Sequence, residues 1–226
     1  MSHSALQTFE VHPAGDATAS IIVLHGLGAD GTDFLPFADE IDLARVGPVR
    51  WIFPRAPVRA VTVNNGYRMR AWYDIFEFGA QARSPREDDA GLRESFAAVH
   101  ALVDREIARG VPAHRVVLGG FSQGCAVTLG AGLRYGQRLA GLAGMSGYLP
   151  LASTTSAERK DANALTPIFL AHGQRDPVIA PERAAASRDA LASLGHTVEW
   201  HDYPMEHSVS PEEIAHLQRF LLKVLG

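Results

Sequence analysis

The sequence predicts an α/β fold: a mostly parallel, doubly wound central sheet with helices on both faces. Short apolar runs, several of them unbroken, alternate with longer amphipathic segments along the chain. Unbroken runs are typical of strands buried on both faces, and their alternation with helices is typical of parallel strands joined by crossovers. A chain of 226 residues is long enough to cover such a sheet. We therefore expect one domain over residues 1–226.

Seven apolar runs are the predicted strands. They are Gln7–Val11, Ser20–His25, Trp51–Phe53, Arg115–Phe121, Leu139–Met145, Ile168–His172 and Thr197–Tyr203. Four amphipathic segments with proline or glycine near their ends are the predicted helices. They are Asp88–Arg109, Gln123–Arg134, Pro181–Leu194 and Pro211–Val224.

One segment breaks the alternation. Val61–Asn64 and Tyr67–Met69 are separated by Asn65-Gly66, which predicts a hairpin with a two-residue turn at the edge of the sheet. The aromatic stretch that follows is open to two interpretations, packing of a structural ribbon or a wall of a substrate pocket. Its members are Trp72, Ile75, Phe76 and Phe78.

Composition excludes several classes of protein. Apolar residues make up 46% of the chain and charged residues 20%, which excludes disordered and fibrous proteins. The formal charge of −4 and the lack of a basic cluster argue against nucleic acid as a partner. Residues 1–11 lack a leader pattern and no apolar run reaches membrane-spanning length, so we expect no integral membrane association and a cytoplasmic location. Cys125 is the only cysteine, which fits the cytoplasm.

Cofactor motifs are missing from the sequence. The ten histidines include no H-E-x-x-H spacing, and no phosphate-cradling glycine loop occurs. We therefore expect no metal and no cofactor.

The pattern Gly120-Phe121-Ser122-Gln123-Gly124 lies between a predicted strand and a predicted helix. A serine at such a sharp turn stands clear of the sheet, with the amides of a helix start beside it, which suits a nucleophile. The pattern alone is weak evidence for a nucleophile, since a structural Gly-Ser turn between a strand and a helix has the same sequence pattern. Its partners decide between the two interpretations.

A serine nucleophile needs a histidine base and an acid that orients the base. Asp176 follows the predicted strand Ile168–His172, and His207 follows the predicted strand Thr197–Tyr203. The order serine, aspartate, histidine is the order found in hydrolases built on this turn. Two competing candidates, His201 and Asp202, lie within or at the end of the last predicted strand, where they are less free to converge on Ser122. A third, His172, could cap the strand before Asp176.

Acyl-transfer chemistry also needs amide donors for the negative oxygen of the tetrahedral intermediate. The backbone N–H of Gln123 directly follows the serine, and that of Leu27 lies in the glycine-rich loop 24–28 after an early strand. The alternative is that the glycines of this loop only form a tight turn. Gln123 and Leu27 are the predicted oxyanion-hole donors.

The sequence resembles the phospholipase/carboxylesterase family of α/β-hydrolases, which includes bacterial carboxylesterases and acyl-protein thioesterases. The resemblance covers nearly the whole chain, and its markers are Leu24–Gly28, Pro54–Pro57, Val61–Asn64, Met69, Trp72–Asp74, Gly120–Gly124, Ser146–Tyr148, His172-Gly173 with Asp176, and His207-Ser208. It implies an α/β-hydrolase fold, Ser122 as nucleophile, Asp176 as acid and His207 as base. Two positions depart from the family pattern, because Cys125 and Glu206 stand where glycine is frequent.

These observations predict a serine esterase that cleaves carboxylic esters through an acyl-enzyme. A thioesterase or lysophospholipase acting on longer acyl chains, and a ligand-binding protein without turnover, stay open as alternatives; a lactone hydrolase fits less well, because such enzymes often carry a cysteine at the apex. The expected partner is a small ester or acyl substrate, contacted by Trp72, Phe76 and Val178. The resemblance also suggests a homodimer.

Overall fold

A seven-stranded sheet lies at the centre of the molecule. The computed structural model describes residues 6–77 and 86–226. Its strands are β1 (Thr8–Val11), β2 (Ala19–Leu24), β3 (Val49–Pro54), β4 (Val58–Val61), β5 (Tyr67–Arg70), β6 (Val116–Phe121), β7 (Gly141–Met145), β8 (Ile168–Gly173) and β9 (Val198–Tyr203). The central order is β1-β3-β2-β6-β7-β8-β9, with β4 and β5 in a separate two-stranded sheet. Within the central sheet only β1 is antiparallel to its neighbour, which confirms the predicted mostly parallel sheet.

Helices cover both faces of the sheet. Over the described residues they are α1 (Phe37–Glu40), α2 (Asp89–Ala108), α3 (Gln123–Arg134), α4 (Ala152–Glu158), α5 (Pro181–Ser193) and α6 (Pro211–Leu225). Buried side chains of α2, α3 and α5 belong to one apolar cluster, and those of α1 and α6 belong to the other. The alternation of strands and helices in the sequence therefore predicted the layers correctly.

Strand β2 shows why the apolar runs are unbroken. All six of its residues are buried. Ile22 and Leu24 lie in the cluster with α2 and α3, whereas Ile21 and Val23 lie in the cluster with α1 and α6. Successive side chains point to opposite faces, so a strand that is covered on both sides is apolar at nearly every position; the exception in β2 is the buried Ser20.

Strand β3 is longer than the predicted Trp51–Phe53. The predicted run begins after a charged residue, and the strand includes that residue. Arg50 belongs to the strand, and its Nη1 donates to Glu106 Oε2 over 2.7 Å. The Glu106 side chain is fully buried on α2 and also accepts from Ser20 Oγ over 2.8 Å. A buried charge is tolerated where it is paired and hydrogen-bonded. The strand therefore continues through Arg50.

The hairpin exists, but its predicted two-residue turn is wrong. Residues 62–64 form a 3₁₀ turn between β4 and β5 instead of extending the first strand. Asp74 holds this turn, since its Oδ1 accepts from Thr62 N over 2.7 Å and its Oδ2 from Thr62 Oγ1 over 2.6 Å. Asn65 then adopts a left-handed conformation with φ of 53°, which asparagine tolerates better than most residues.

Helix α4 was not predicted because its residues favour other structures. Ser153-Thr154-Thr155-Ser156 is a run of hydroxyl residues, which compete for backbone hydrogen bonds and are weak helix formers. A tertiary contact stabilises the helix, since Glu158 Oε2 accepts from Arg134 Nε over 2.8 Å, and within the helix it also accepts from Thr154 Oγ1 over 2.9 Å. Arg134 is distant in the sequence, so this contact leaves no local pattern.

Two expectations concern residues outside the described ranges. Phe78, one of the aromatic residues expected near the pocket, lies outside them. The single domain over residues 1–226 includes such residues and stays a prediction. Among the helices that the structure describes, none combines the length and the apolar character needed to cross a lipid bilayer.

Glu213 on the first turn of α6 is a fully buried acid. Both oxygens of its carboxyl group lack a hydrogen-bond partner within the described part of the chain, and burial raises its pKa to about 8. An unfolded glutamate has an ordinary value near 4.5. Between these values the folded chain keeps a proton that the unfolded chain releases, so stability falls as pH rises through this window.

We expect Glu213→Gln to remove this loss. As pH rises from 5 to 8, the difference in free energy of unfolding between the variant and the wild type grows by on the order of 3–5 kcal/mol in favour of the variant. Urea titrations at pH 5, 6, 7 and 8 measure the difference. Glu212→Gln, at the exposed neighbouring position, is the matched control and keeps the wild-type pH profile. Parallel profiles for the wild type and the Glu213 variant would show that the carboxyl group is ionised in the folded state.

Candidate active site

Ser122 lies at a sharp turn between β6 and α3. Its φ of 56° and ψ of −117° are unusual for a residue with a side chain. The turn needs glycine on both sides: a Cβ on Gly120 would lie 2.4 Å from the Gly124 carbonyl carbon, and one on Gly124 would lie 2.1 Å from Leu24 O. The glycines of the motif thus let the start of α3 pack directly against its own strand and the end of β2.

His207 follows β9 and faces this serine. Its Nε2 lies 2.8 Å from Ser122 Oγ, and its Nδ1 lies 2.7 Å from Asp176 Oδ2. The imidazole packs against the ring of Phe121, with 4.8 Å between ring centroids. The structure therefore brings together the three side chains that the sequence predicted.

Asp176 is held rigidly in the turn after β8. Its Oδ1 accepts from the backbone N–H groups of Val178 and Ile179, over 2.8 and 2.9 Å. Its side chain has no exposed surface, and Oδ2 faces His207. All donors around the carboxyl group fit its ionised form, which accepts only.

This arrangement sets the tautomer of His207. A carboxylate at Nδ1 requires the proton on that nitrogen, which leaves the lone pair of Nε2 directed at Ser122 Oγ. In this state the imidazole can take the hydroxyl proton, and the adjacent carboxylate stabilises the imidazolium that results.

The competing candidates have other hydrogen-bond or stacking partners than Ser122. His201 stacks on His216 with 4.2 Å between ring centroids, and Asp202 Oδ2 accepts from Gln174 Nε2 over 2.9 Å. His172 Nε2 lies 3.0 Å from Ile179 O and 3.4 Å from Asp176 Oδ2. Burial lowers the pKa of His172, which lies beside the turn that carries Asp176.

The loop after β2 closes the other side of Ser122. A Cβ on Gly26 would lie 3.3 Å from Ser122 Cβ, so the loop backbone approaches the serine at a distance that suits glycine. Leu27 follows in this loop and lines the same cavity as Ser122 and Gln123. Both segments that carry the predicted oxyanion donors therefore border the serine.

A cavity of about 600 Å³ opens beside the serine and the histidine. This size is in the range of pockets that enclose a small organic ligand. Phe76 and Val178, two expected substrate contacts, line it, but Trp72 is fully buried and is not among the lining residues. The apolar and aromatic lining includes Leu27, Phe34, Ile75, Phe76, Phe121, Tyr148, Val178 and Ile179.

Sequence reasoning missed the polar end of this cavity. The hydroxyl groups of Tyr73 and Tyr148 lie 2.8 Å apart, and the Arg183 guanidinium lies 3.4 Å from the centre of the Tyr148 ring. Glu87 lies 3.9 Å from Arg183. These residues come from four separate segments; the family markers Trp72–Asp74 and Ser146–Tyr148 contain the two tyrosines, but none of the four was predicted as a site residue.

The two departures from the family pattern leave the site intact. Cys125 is fully buried on α3, and burial raises its pKa to about 12, so its thiol stays protonated. Glu206 is exposed on the loop before His207. Across residues 6–77 and 86–226, no cluster of three or more potential ligand side chains is arranged to hold a metal ion.

Comparison with known proteins places the chain among hydrolases. The model of the phospholipase/carboxylesterase family matches residues 7–225. Acyl-protein thioesterase 1 from Schizosaccharomyces pombe is 39% identical, over 98% of this chain and 97% of its own. Carboxylesterase SOBER1 from Arabidopsis thaliana is 34% identical, over 92% of each chain.

Solved structures show the same relationship. The crystal structure of Arabidopsis thaliana SOBER1 has a TM-score of 0.87 at 32% identity, covering 92% of this chain and 99% of that chain. That of Zea mays acyl-protein thioesterase 2 has a TM-score of 0.81 at 28% identity, covering 97% and 99%. The match of the family model, the identity to these relatives and the shared fold lead to one conclusion: the chain belongs to the phospholipase/carboxylesterase family of α/β-hydrolases.

Proposed function

We propose that this hydrolase cleaves carboxylic esters with Ser122 as nucleophile, His207 as general base and Asp176 as the acid that orients it. The observation that carries the proposal is the pair of contacts made by one imidazole, 2.8 Å to Ser122 Oγ and 2.7 Å to Asp176 Oδ2. A nucleophile, base and acid in hydrogen-bonding sequence are the parts that acyl transfer by serine requires.

The reaction proceeds in two steps. His207 takes the proton of Ser122 as Oγ attacks the acyl carbonyl, and then returns it to the departing alcohol, which leaves an acyl-enzyme. In the second step His207 takes a proton from water, the hydroxide attacks the acyl carbon, and the proton returns to Ser122 as the carboxylic acid departs. The amides of Leu27 and Gln123 stabilise the negative oxygen of each tetrahedral intermediate.

A fluorophosphonate probe tests this assignment. We expect the wild type to be labelled with loss of fluoride, and the mass of the phosphonate adduct to map to the peptide that contains Ser122. An adduct on another residue would refute Ser122 as nucleophile. A wild type that binds short acyl ligands but neither reacts with the probe nor hydrolyses esters would establish the alternative of a binding protein without turnover.

The size and lining of the cavity favour a second substrate class, thioesters and esters of longer acyl chains. A cavity of about 600 Å³ bordered by Ile75, Phe76, Val178 and Ile179 can enclose an apolar chain. Several relatives at 37–40% identity are named acyl-protein thioesterase 1.

Rates on a graded series of p-nitrophenyl esters and matched thioesters separate these classes. We expect kcat/KM to rise from acetyl to medium-length acyl groups, since each buried methylene contributes about 0.8 kcal/mol. Phe76→Ala, which removes part of the apolar lining, shifts the optimum toward longer chains. An optimum at acetyl that does not move in the variant would limit the enzyme to short esters.

Two further expectations, the cellular location and the oligomeric state, are part of this proposal. We place the enzyme in the cytoplasm, where its single thiol, Cys125, stays reduced; cell fractionation tests this. The homodimer that the family resemblance suggests is tested by light scattering.

A further inference from the structure

The two proposed oxyanion donors come from distant parts of the chain, the loop after β2 and the first turn of α3. Both amides must be held within a fraction of an ångström of their working positions, because a misplaced donor loses most of its effect on the developing charge. A buried set of contacts, centred on Trp72, connects these two segments.

The first contact is made by the side chain of Gln123. It is 1% exposed. Its Oε1 accepts from the backbone N–H of Trp72 and its Nε2 donates to the carbonyl of Tyr73, each over 2.8 Å. Two opposed hydrogen bonds fix the amide group and fasten residues 72–73 to the start of α3.

The second contact is made by the indole of Trp72. This side chain is fully buried, and its Nε1 donates to the carbonyl oxygen of His25 over 2.8 Å. The same ring lies against the imidazole of His25, with 5.3 Å between ring centroids. Ser95 Oγ donates to the Trp72 carbonyl, so the residue is held on its backbone as well as its side chain.

The third contact reaches the peptide group that carries the Leu27 amide. His25 Nε2 accepts from Ala56 N over 3.0 Å, so the ring proton lies on Nδ1, which donates to Gly26 O over 2.7 Å. The Gly26 carbonyl and the Leu27 N–H belong to one planar peptide group. Fixing the carbonyl therefore fixes the direction in which the Leu27 N–H points.

We propose that Trp72 is a positioning residue of the oxyanion hole: together with the Gln123 side chain it sets the Leu27 amide relative to the Gln123 amide. This inference rests on the proposed function of the site. It gives Trp72 a role through its indole N–H, in place of the direct substrate contact expected from the sequence. Loss of that N–H frees the loop at His25 and leaves the three catalytic side chains in place.

Trp72→Phe tests the inference, because it removes the N–H and keeps an aromatic ring. We expect kcat to fall about 10–100-fold with KM within threefold of the wild type. Affinity for a trifluoromethyl ketone, whose hydrated adduct with Ser122 carries the negative oxygen, falls by the same factor, whereas affinity for the carboxylic acid product changes little. Trp51→Phe is the matched control, since Trp51 is buried and stacks on Phe53 in the other apolar cluster; it keeps wild-type kcat.

Gln123→Glu breaks the same set of contacts at its first step, because it turns the donor to Tyr73 O into an acceptor. We expect Gln123→Glu likewise to lower kcat and to leave KM close to the wild-type value. This variant replaces Trp72→Phe as the test if the latter does not fold. An unchanged kcat with a raised KM would make Trp72 a pocket residue, and unchanged kinetics with a lowered melting temperature would make it a packing residue. Either outcome overturns the inference. A wild type inactive on all esters would instead refute the proposed function.

Discussion

We expect the replacement of Ser122 by alanine to lower kcat for ester hydrolysis on the order of 10⁶-fold. The proposed mechanism has no other nucleophile, so the variant keeps only the contribution of binding and of the amide donors, about 10³-fold over water. Serine and alanine face the same backbone cost at φ of 56°, so the melting temperature stays close to the wild-type value. Single-turnover kinetics with an activated ester measure the loss.

The partner variant distinguishes a triad from independent residues. His207→Ala alone removes a similar factor, and the double variant with Ser122→Ala loses little more, because the two side chains act as one unit. Losses that multiply in the double variant would mean that the serine and the histidine act separately, whatever their distance in the structure.

We expect the replacement of Asp176 by asparagine to lower kcat about 10⁴-fold. The reason lies in the hydrogen bonds around the carboxyl group. Oδ1 accepts from the amides of Val178 and Ile179, so the carbonyl oxygen of an asparagine takes that place and its NH₂ faces His207. The imidazole must then accept at Nδ1, which puts its proton on Nε2 and leaves no lone pair for Ser122 Oγ.

Asp202→Asn is the matched control for this variant. Asp202 is exposed and accepts from Gln174, and the same chemical change there leaves kcat within about twofold of the wild type. Steady-state kinetics of both variants, with circular dichroism to check folding, decide the assignment. Full activity after Asp176→Asn would remove this residue from the mechanism.

The candidate site was predictable because its three side chains follow strands with strong local patterns. β6 and β8 are largely buried, mostly apolar runs, whereas β9 is a half-buried strand with polar residues between apolar ones; as parallel strands, all three bring their carboxyl ends to one edge. Ser122, Asp176 and His207 come directly after such ends or a few residues beyond them. The fold class followed from the same alternation, and the family resemblance agreed with both.

Features that depend on contacts between distant residues were not predictable. The 3₁₀ turn at residues 62–64 exists because Asp74 holds Thr62, and no local letter indicates this. Trp72 was expected at the substrate because aromatic residues often line pockets, yet its indole is directed at the carbonyl of His25. Buried hydrogen-bond partners decide such cases, and they are fixed only by the folded chain.

The placement of the cavity wall has a consequence for how such an enzyme diversifies. The three proposed catalytic side chains follow β6, β8 and β9, whereas one wall of the cavity is formed by residues 73–77, in the segment between β3 and α2. Replacements in that segment reshape the space for the substrate while the strands that carry the chemistry stay untouched. Selection can thus change which acyl groups enter the cavity without changing the side chains that are proposed to cleave them, as long as the hydrogen bond from the Trp72 indole to the His25 carbonyl is retained.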